Sequence, residues 1–244
     1  MPRGEMSSPE STENGGATAG NDRVTRHETD AEKAYWADFY ARADFDSGSS
    51  FSELVMSLPN IPGTIIDIGA GQGRDSLAFA RGTDAYVVGI DRSLQGVQSA
   101  HHRAISDHLE GKLQFHECDV TDHDKITGIF QEARKESSTG NVLYYMRFFL
   151  HSIPEDAQEA LFLTISQDAQ AGDMFAAEFR TDKDEFSSHE FGDSHYRRYQ
   201  NAAQFSQNLK EKYGWSNLVL EVESTGLSPY KHEDPVLYRV ISSR

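Results

Sequence analysis

The segment running from Ile65 to Ser76 reads Ile-Ile-Asp-Ile-Gly-Ala-Gly-Gln-Gly-Arg-Asp-Ser, with Gly69, Gly71 and Gly73 directly after an apolar run. Glycines in such a turn let the backbone approach a ligand closely. A helix opening behind them points its positive dipole end the same way. The chemistry on offer is recognition of a nucleotide-like molecule. A dinucleotide site takes the pattern Gly-x-Gly-x-x-Gly. Arg74 stands where the last of those glycines falls, and Asp67 lies two residues before the first. A guanidinium there crowds a pyrophosphate-binding turn. Asp91 ends the next apolar run, twenty residues past Gly71. An acid at that place accepts hydrogen bonds from both ribose hydroxyls. The alternative for Asp91 is a helix N-cap, a role that Ser93 also fits.

The spacing Asp-x-Gly-x-Gly-x-Gly from Asp67 to Gly73 resembles motif I of the class I S-adenosylmethionine (SAM) methyltransferases. The resemblance implies SAM as cofactor and S-adenosyl-L-homocysteine as product. It implies that Gly69, Ala70 and Gly71 lie under the amino-acid end of SAM and that Arg74 meets its carboxylate. Asp91, with Arg92 beside it, is then expected on the ribose, and Asp119 with the backbone N–H of Val120 on the adenine. An ordinary Asp turn is the alternative for Asp119. The N-terminal aromatic run also fits, since family members close such a segment over SAM. Tyr40 is expected on the cofactor and Tyr35 on the substrate, with packing against the sheet edge as the alternative.

The stretch Asn141 to Asp156, which contains Arg147-Phe148-Phe149-Leu150-His151, is similar to a subset of bacterial small-molecule methyltransferases. Methyl transfer is an in-line displacement, so the nucleophile must be aligned and sometimes deprotonated. His151 is the base candidate because imidazole titrates near neutrality. Tyr145 and Arg147 are the other catalytic candidates, and a loop-orienting role is the alternative for His151. Further on, Tyr196, Arg197 and Arg198 are expected to hold the substrate. Adjacent arginines suit a carboxylate or phosphate clamp, and surface pairing with neighbouring acids is the alternative. No metal-ligand constellation is expected.

These residues need a frame to hold them. Short apolar runs alternate with helical stretches from Gly63 onward, which implies a doubly wound parallel sheet. Two final strands have no helix between them and must form an antiparallel hairpin. The fold class expected is α/β, a Rossmann-like, seven-stranded, mostly parallel sheet. Residues 1–27 read as a disordered tail of Ser, Thr, Gly and Glu. Residues 28–244 read as one domain, with a helical lid over about 29–58 and an acceptor-side insertion over about 181–199.

Composition bounds the partners. The chain has 244 residues, 23 Lys and Arg against 39 Asp and Glu, and a formal charge of −16. Such a surface repels phosphate backbones and anionic lipid, so neither nucleic acid nor membrane is an expected partner. The single cysteine, Cys118, excludes an internal disulfide. A cytoplasmic protein acting on a small molecule is the expectation; its oligomeric state is not legible. The reading is SAM-dependent methylation of an oxygen or nitrogen of a small, anionic metabolite. Two rivals stay open: an enzyme that cyclises or cleaves SAM itself, for instance to an azetidine carboxylate, and a non-catalytic SAM-binding protein.

Overall fold

The computed structural model describes residues 47–185 and 196–244. The expected tail, most of the expected lid with Tyr35 and Tyr40, and the middle of the expected insertion lie outside the described residues. The described chain runs α1 (Ser50–Met56), β1 (Thr64–Ile68), α2 (Arg74–Gly82), β2 (Tyr86–Asp91), α3 (Leu94–Ser106), β3 (Leu113–Glu117) and α4 (His123–Lys135). It continues through β4 (Val142–Arg147), α5 (Glu155–Asp168), β5 (Met174–Arg180), α6 (Ala202–Glu211), β6 (Asn217–Ser224) and β7 (Leu237–Ser243).

The seven strands lie in the order β3-β2-β1-β4-β5-β7-β6. All pairings are parallel except those of β7, which runs antiparallel to β5 and β6. Strand order reverses between β1 and β4, so a crevice opens there beyond the carboxyl ends of the strands. Helices cover both faces, which is why β1 and β5 are buried throughout. Successive strand residues point to opposite faces. Ile65 and Tyr145 therefore pack with Phe51 of α1 and Leu77 of α2. Ile66 and Tyr144 pack on the other side with Phe130 of α4 and Phe162 of α5.

Helix starts follow local chemistry. Ser93 caps α3 by accepting the Gly96 N–H, and Asp122 caps α4 by accepting the Lys125 N–H. Gly111 would be the natural stop for α3 by sequence, but the helix ends earlier. The helix stops at Ser106, and His108 takes the left-handed turn at φ 57°. Histidine tolerates that region better than most residues.

Candidate cofactor and acceptor site

The glycine turn after β1 is left-handed at all three positions, with φ of 81° at Gly69, 55° at Gly71 and 76° at Gly73. A Cβ at Gly69 would stand 2.4 Å from Phe149 Cδ2, and one at Gly73 would stand 2.6 Å from Phe115 Cζ. Its N–H groups point inward. Those of Gly69 and Ala70 donate to the Ile90 carbonyl at 2.8 and 3.0 Å, and that of Gly73 to the Ala70 carbonyl at 2.8 Å. The Gly71 N–H donates to Asp91 Oδ2 at 2.8 Å. A pyrophosphate site offers such N–H groups to phosphate oxygens. Here they are consumed by the protein, so the turn permits close approach without carrying an anion.

Two acids underlie the turn. Asp91 also accepts the Ser93 N–H at 2.8 Å, and burial raises its pKa. Each oxygen keeps a lone pair that a ribose hydroxyl can use. Asp91→Ala is expected to weaken SAM binding by about 10- to 100-fold, because charge-assisted bonds to the ligand are lost. Titration calorimetry on the folded variant checks this, and unchanged affinity would remove Asp91 from the site.

Asp67 is buried, with its Oδ2 accepting the Ser76 hydroxyl at 2.6 Å. Burial first, and the charge of Asp75 second, push its pKa up to about 7. Between its unfolded value of 3.8 and about 7, the folded chain holds a proton that the unfolded chain has released. Stability contributed by Asp67 should therefore fall as pH rises through that window, by at most about 1.4 kcal/mol per pH unit. Asp67→Asn should flatten that part of a stability-versus-pH curve measured by urea unfolding; an unaltered slope would contradict the assignment.

The other expected cofactor residues divide. Arg74 donates from Nε to the Ser47 carbonyl at 3.0 Å and from Nη2 to the Gly48 carbonyl at 3.1 Å. The structure thus uses those donors to clasp the entrance of α1. Asp119 is exposed, and its Oδ1 accepts the N–H and hydroxyl of Thr121 at 2.9 and 2.7 Å. That is the Asp turn weighed as its alternative. The Val120 N–H donates to no acceptor among the described residues, which leaves it open to a ring nitrogen. Arg92 is exposed beside Asp91.

On the acceptor side, two expectations need correction. Tyr145 is fully buried between Phe51 and Phe79, and its hydroxyl donates to Asp75 Oδ2 at 2.7 Å. Its place in an inward-facing core position keeps it from an acceptor. Arg198 donates from its backbone to the His151 carbonyl at 2.8 Å and from Nε to the Ile153 carbonyl at 3.3 Å; Nη2 reaches the Leu150 carbonyl and Gln158 Oε1. Its guanidinium thus holds the turn after β4 and is not a free clamp. Tyr196 and Arg197 are partly buried. Arg147 and His151 stay where a ligand would lie, at the carboxyl end of β4 and in the short 3-10 turn Leu150–Ser152.

Sequence reasoning missed two features here. Phe148 adopts φ 52°, a strained conformation for an aromatic residue and one that concentrates at functional sites. The second is a buried ionic row. Register pairs Arg147 with Glu178 and Glu178 with Arg239 across β4, β5 and β7. Glu178 is fully buried; its Oε1 accepts Arg147 Nε at 2.9 Å and its Oε2 accepts Arg239 Nε. The signal was a lone acid inside the apolar run Met-Phe-Ala-Ala-Glu-Phe. Among the described residues no helix is long and apolar enough to cross a membrane, and no group of side chains could hold a metal ion.

Comparison with known proteins bears on the fold and on the first half of the sheet. Residues 62–131 match a family model described as "Methyltransferase domain". No curated protein matches the chain. Among solved structures, a SAM-dependent methyltransferase from Anabaena variabilis superposes with a TM-score of 0.64 at 15% identity, over 88% of this chain and 94% of that one. The glycopeptide N-methyltransferase MtfA, complexed with S-adenosyl-L-homocysteine, gives 0.58 at 12% identity, over 83% of this chain and 92% of its own. The [4+2]-cyclase SpnF gives 0.62 at 12% identity, over 88% and 93% respectively. The matched segment contains the glycine turn, Asp91 and Asp119, so residues 62–131 are similar to a methyltransferase domain, and the strand order is the fold that the chain shares with these solved structures.

Proposed function

We propose that the protein transfers a methyl group from SAM to an oxygen or nitrogen of a small, anionic metabolite. The turn after β4 carries this reading. Phe149 lies directly on Gly69, and the strained Phe148 sets its ring edge-on to His151 at 5.5 Å. A base candidate and Arg147 thus flank the residue that packs on the glycine turn. SAM, when bound, supplies a methyl carbon on a sulfonium sulfur. His151 would take the nucleophile's proton at an imidazole nitrogen as the methyl group is transferred. Arg147 and Arg197 supply the local positive charge that an anionic substrate needs in a chain of charge −16.

The test is incubation with SAM and a panel of small hydroxy- and amino-carboxylates, with products separated by mass spectrometry. A methylated carboxylate formed together with S-adenosyl-L-homocysteine supports the reading. Consumption of SAM alone, to products other than S-adenosyl-L-homocysteine, would replace it with cyclisation or cleavage of SAM. The similarity to a [4+2]-cyclase favours keeping that second reading, because the shared fold is not tied to methyl transfer. Tight SAM binding with no turnover would leave a binding protein.

A further inference from the structure

We infer that Arg147 is a receptor for a carboxylate carried by one of the two ligands of the site. The inference rests on the reading that SAM occupies the glycine turn, and it names the chemistry recognised beside it.

The guanidinium of Arg147 is held from behind. Nε donates to Glu178 Oε1 at 2.9 Å, and the plane lies 4.5 Å from the centre of the Phe148 ring. Glu178 is itself fixed, since the Ser228 hydroxyl lies 3.1 Å from both of its oxygens and Arg239 donates to Oε2. Anchoring at Nε and at the ring leaves the two terminal nitrogens. Among the described residues neither Nη1 nor Nη2 donates a hydrogen bond, although the side chain is only 17% exposed. Four N–H bonds in a fixed plane, held by the far end, match the two oxygens of a carboxylate.

The surrounding charge agrees. Glu178 is shared between Arg147 and Arg239, so it balances only part of Arg147. Asp75 is 4.0 Å from Nε and already accepts from the Tyr145 and Ser49 hydroxyls at 2.7 and 2.8 Å. Arg74, across the mouth of the turn, has its pKa lowered by burial and then by the charge of Arg147. An anion between the two arginines relieves both. The position is also right: Arg147 ends β4, next to β1 at the switch point, where the amino-acid end of SAM and an acceptor would meet.

The carboxylate belongs either to the amino-acid end of SAM or to the acceptor, and one set of measurements separates the two. Calorimetry compares SAM with decarboxylated SAM on the full chain and on Arg147→Gln. Ligand-observed NMR then follows benzoate added to protein saturated with S-adenosyl-L-homocysteine. If SAM is the source, the wild type prefers SAM by about 10- to 100-fold and Arg147→Gln loses that preference. If the acceptor is the source, the preference survives and the variant loses benzoate binding instead. A folded variant with both properties unchanged overturns the inference. Should Arg147→Gln not fold, Arg147→Lys decides: it keeps a charge near Glu178 but not the planar fork, so it should show the same loss, and full retention overturns the inference. Loss of carboxylate discrimination in a protein that methylates nothing would sink the proposed methyl transfer and leave this inference standing.

Discussion

Gly69→Ala is expected to destabilise the protein by about 2–5 kcal/mol and to weaken SAM binding by at least about 100-fold. Two costs add. The left-handed backbone at φ 81° costs an alanine roughly 1–2 kcal/mol. The new methyl would also stand 2.4 Å from Phe149 Cδ2, 2.7 Å from Cγ and 2.8 Å from Cβ, an overpacking of about 1–3 kcal/mol. Relief requires Phe149 to move, and Phe149 cannot move alone. It is bonded to the strained Phe148, and its carbonyl accepts the Ser152 N–H at 2.9 Å within the turn that carries His151. The damage therefore passes to both halves of the site. Gly140→Ala is the control, because Gly140 has φ 79° but nothing within 4 Å of an added Cβ. It should lose only the backbone cost and no SAM affinity. Urea unfolding and calorimetry read both variants, and equal behaviour of the two would refute the contact argument.

Glu178→Ala is expected to cost about 3–5 kcal/mol, because it leaves two arginines facing each other without the acid between them. Arg147 and Arg239 both donate to Glu178, which is completely buried. Glu178→Gln keeps the Ser228 contact and the volume but removes the charge, so it should cost less. The chain should also loosen at α1, since Arg239 Nη2 holds the Ser50 hydroxyl at 2.7 Å and the Leu227 carbonyl at 2.8 Å. Thermal unfolding with hydrogen exchange on α1 checks this. A loss under about 1 kcal/mol would mean that the row contributes little to stability.

The strand and helix order was legible because the forces behind it are local and periodic. Apolar runs ending in glycine gave β1 and the turn at Gly69, and the two helix-free runs gave the β6–β7 hairpin. The cofactor half of the site was legible for the same reason. Gly69, Gly71 and Asp91 sit on one β-turn-α unit and the next strand end, so spacing alone placed them together. The acceptor half was not. Tyr145 and Arg147 share one face of β4 and look equivalent as letters, yet Tyr145 lies under α2 and Arg147 sits at the carboxyl end of the strand. Arg198 looked like a free cation because the carbonyls it holds, at Leu150 and Ile153, lie 48 and 45 residues earlier. Such pairings depend on which strands become neighbours, which no short window contains.

The contact between Arg239 and Ser50 joins residues 189 positions apart. Closing that ring brings α1, the first described helix, against β7, the last described strand, with Glu178 of β5 between. Contacts of such long range make folding slow, because the entropy of the loop is lost before the contact forms. Recognition at Arg147 therefore matures late. The β1-turn-α2 unit is built from contacts near in sequence, whereas the support of the fork needs β7 in place beside β5. SAM that binds only the completed site should consequently slow unfolding and leave the refolding rate unchanged.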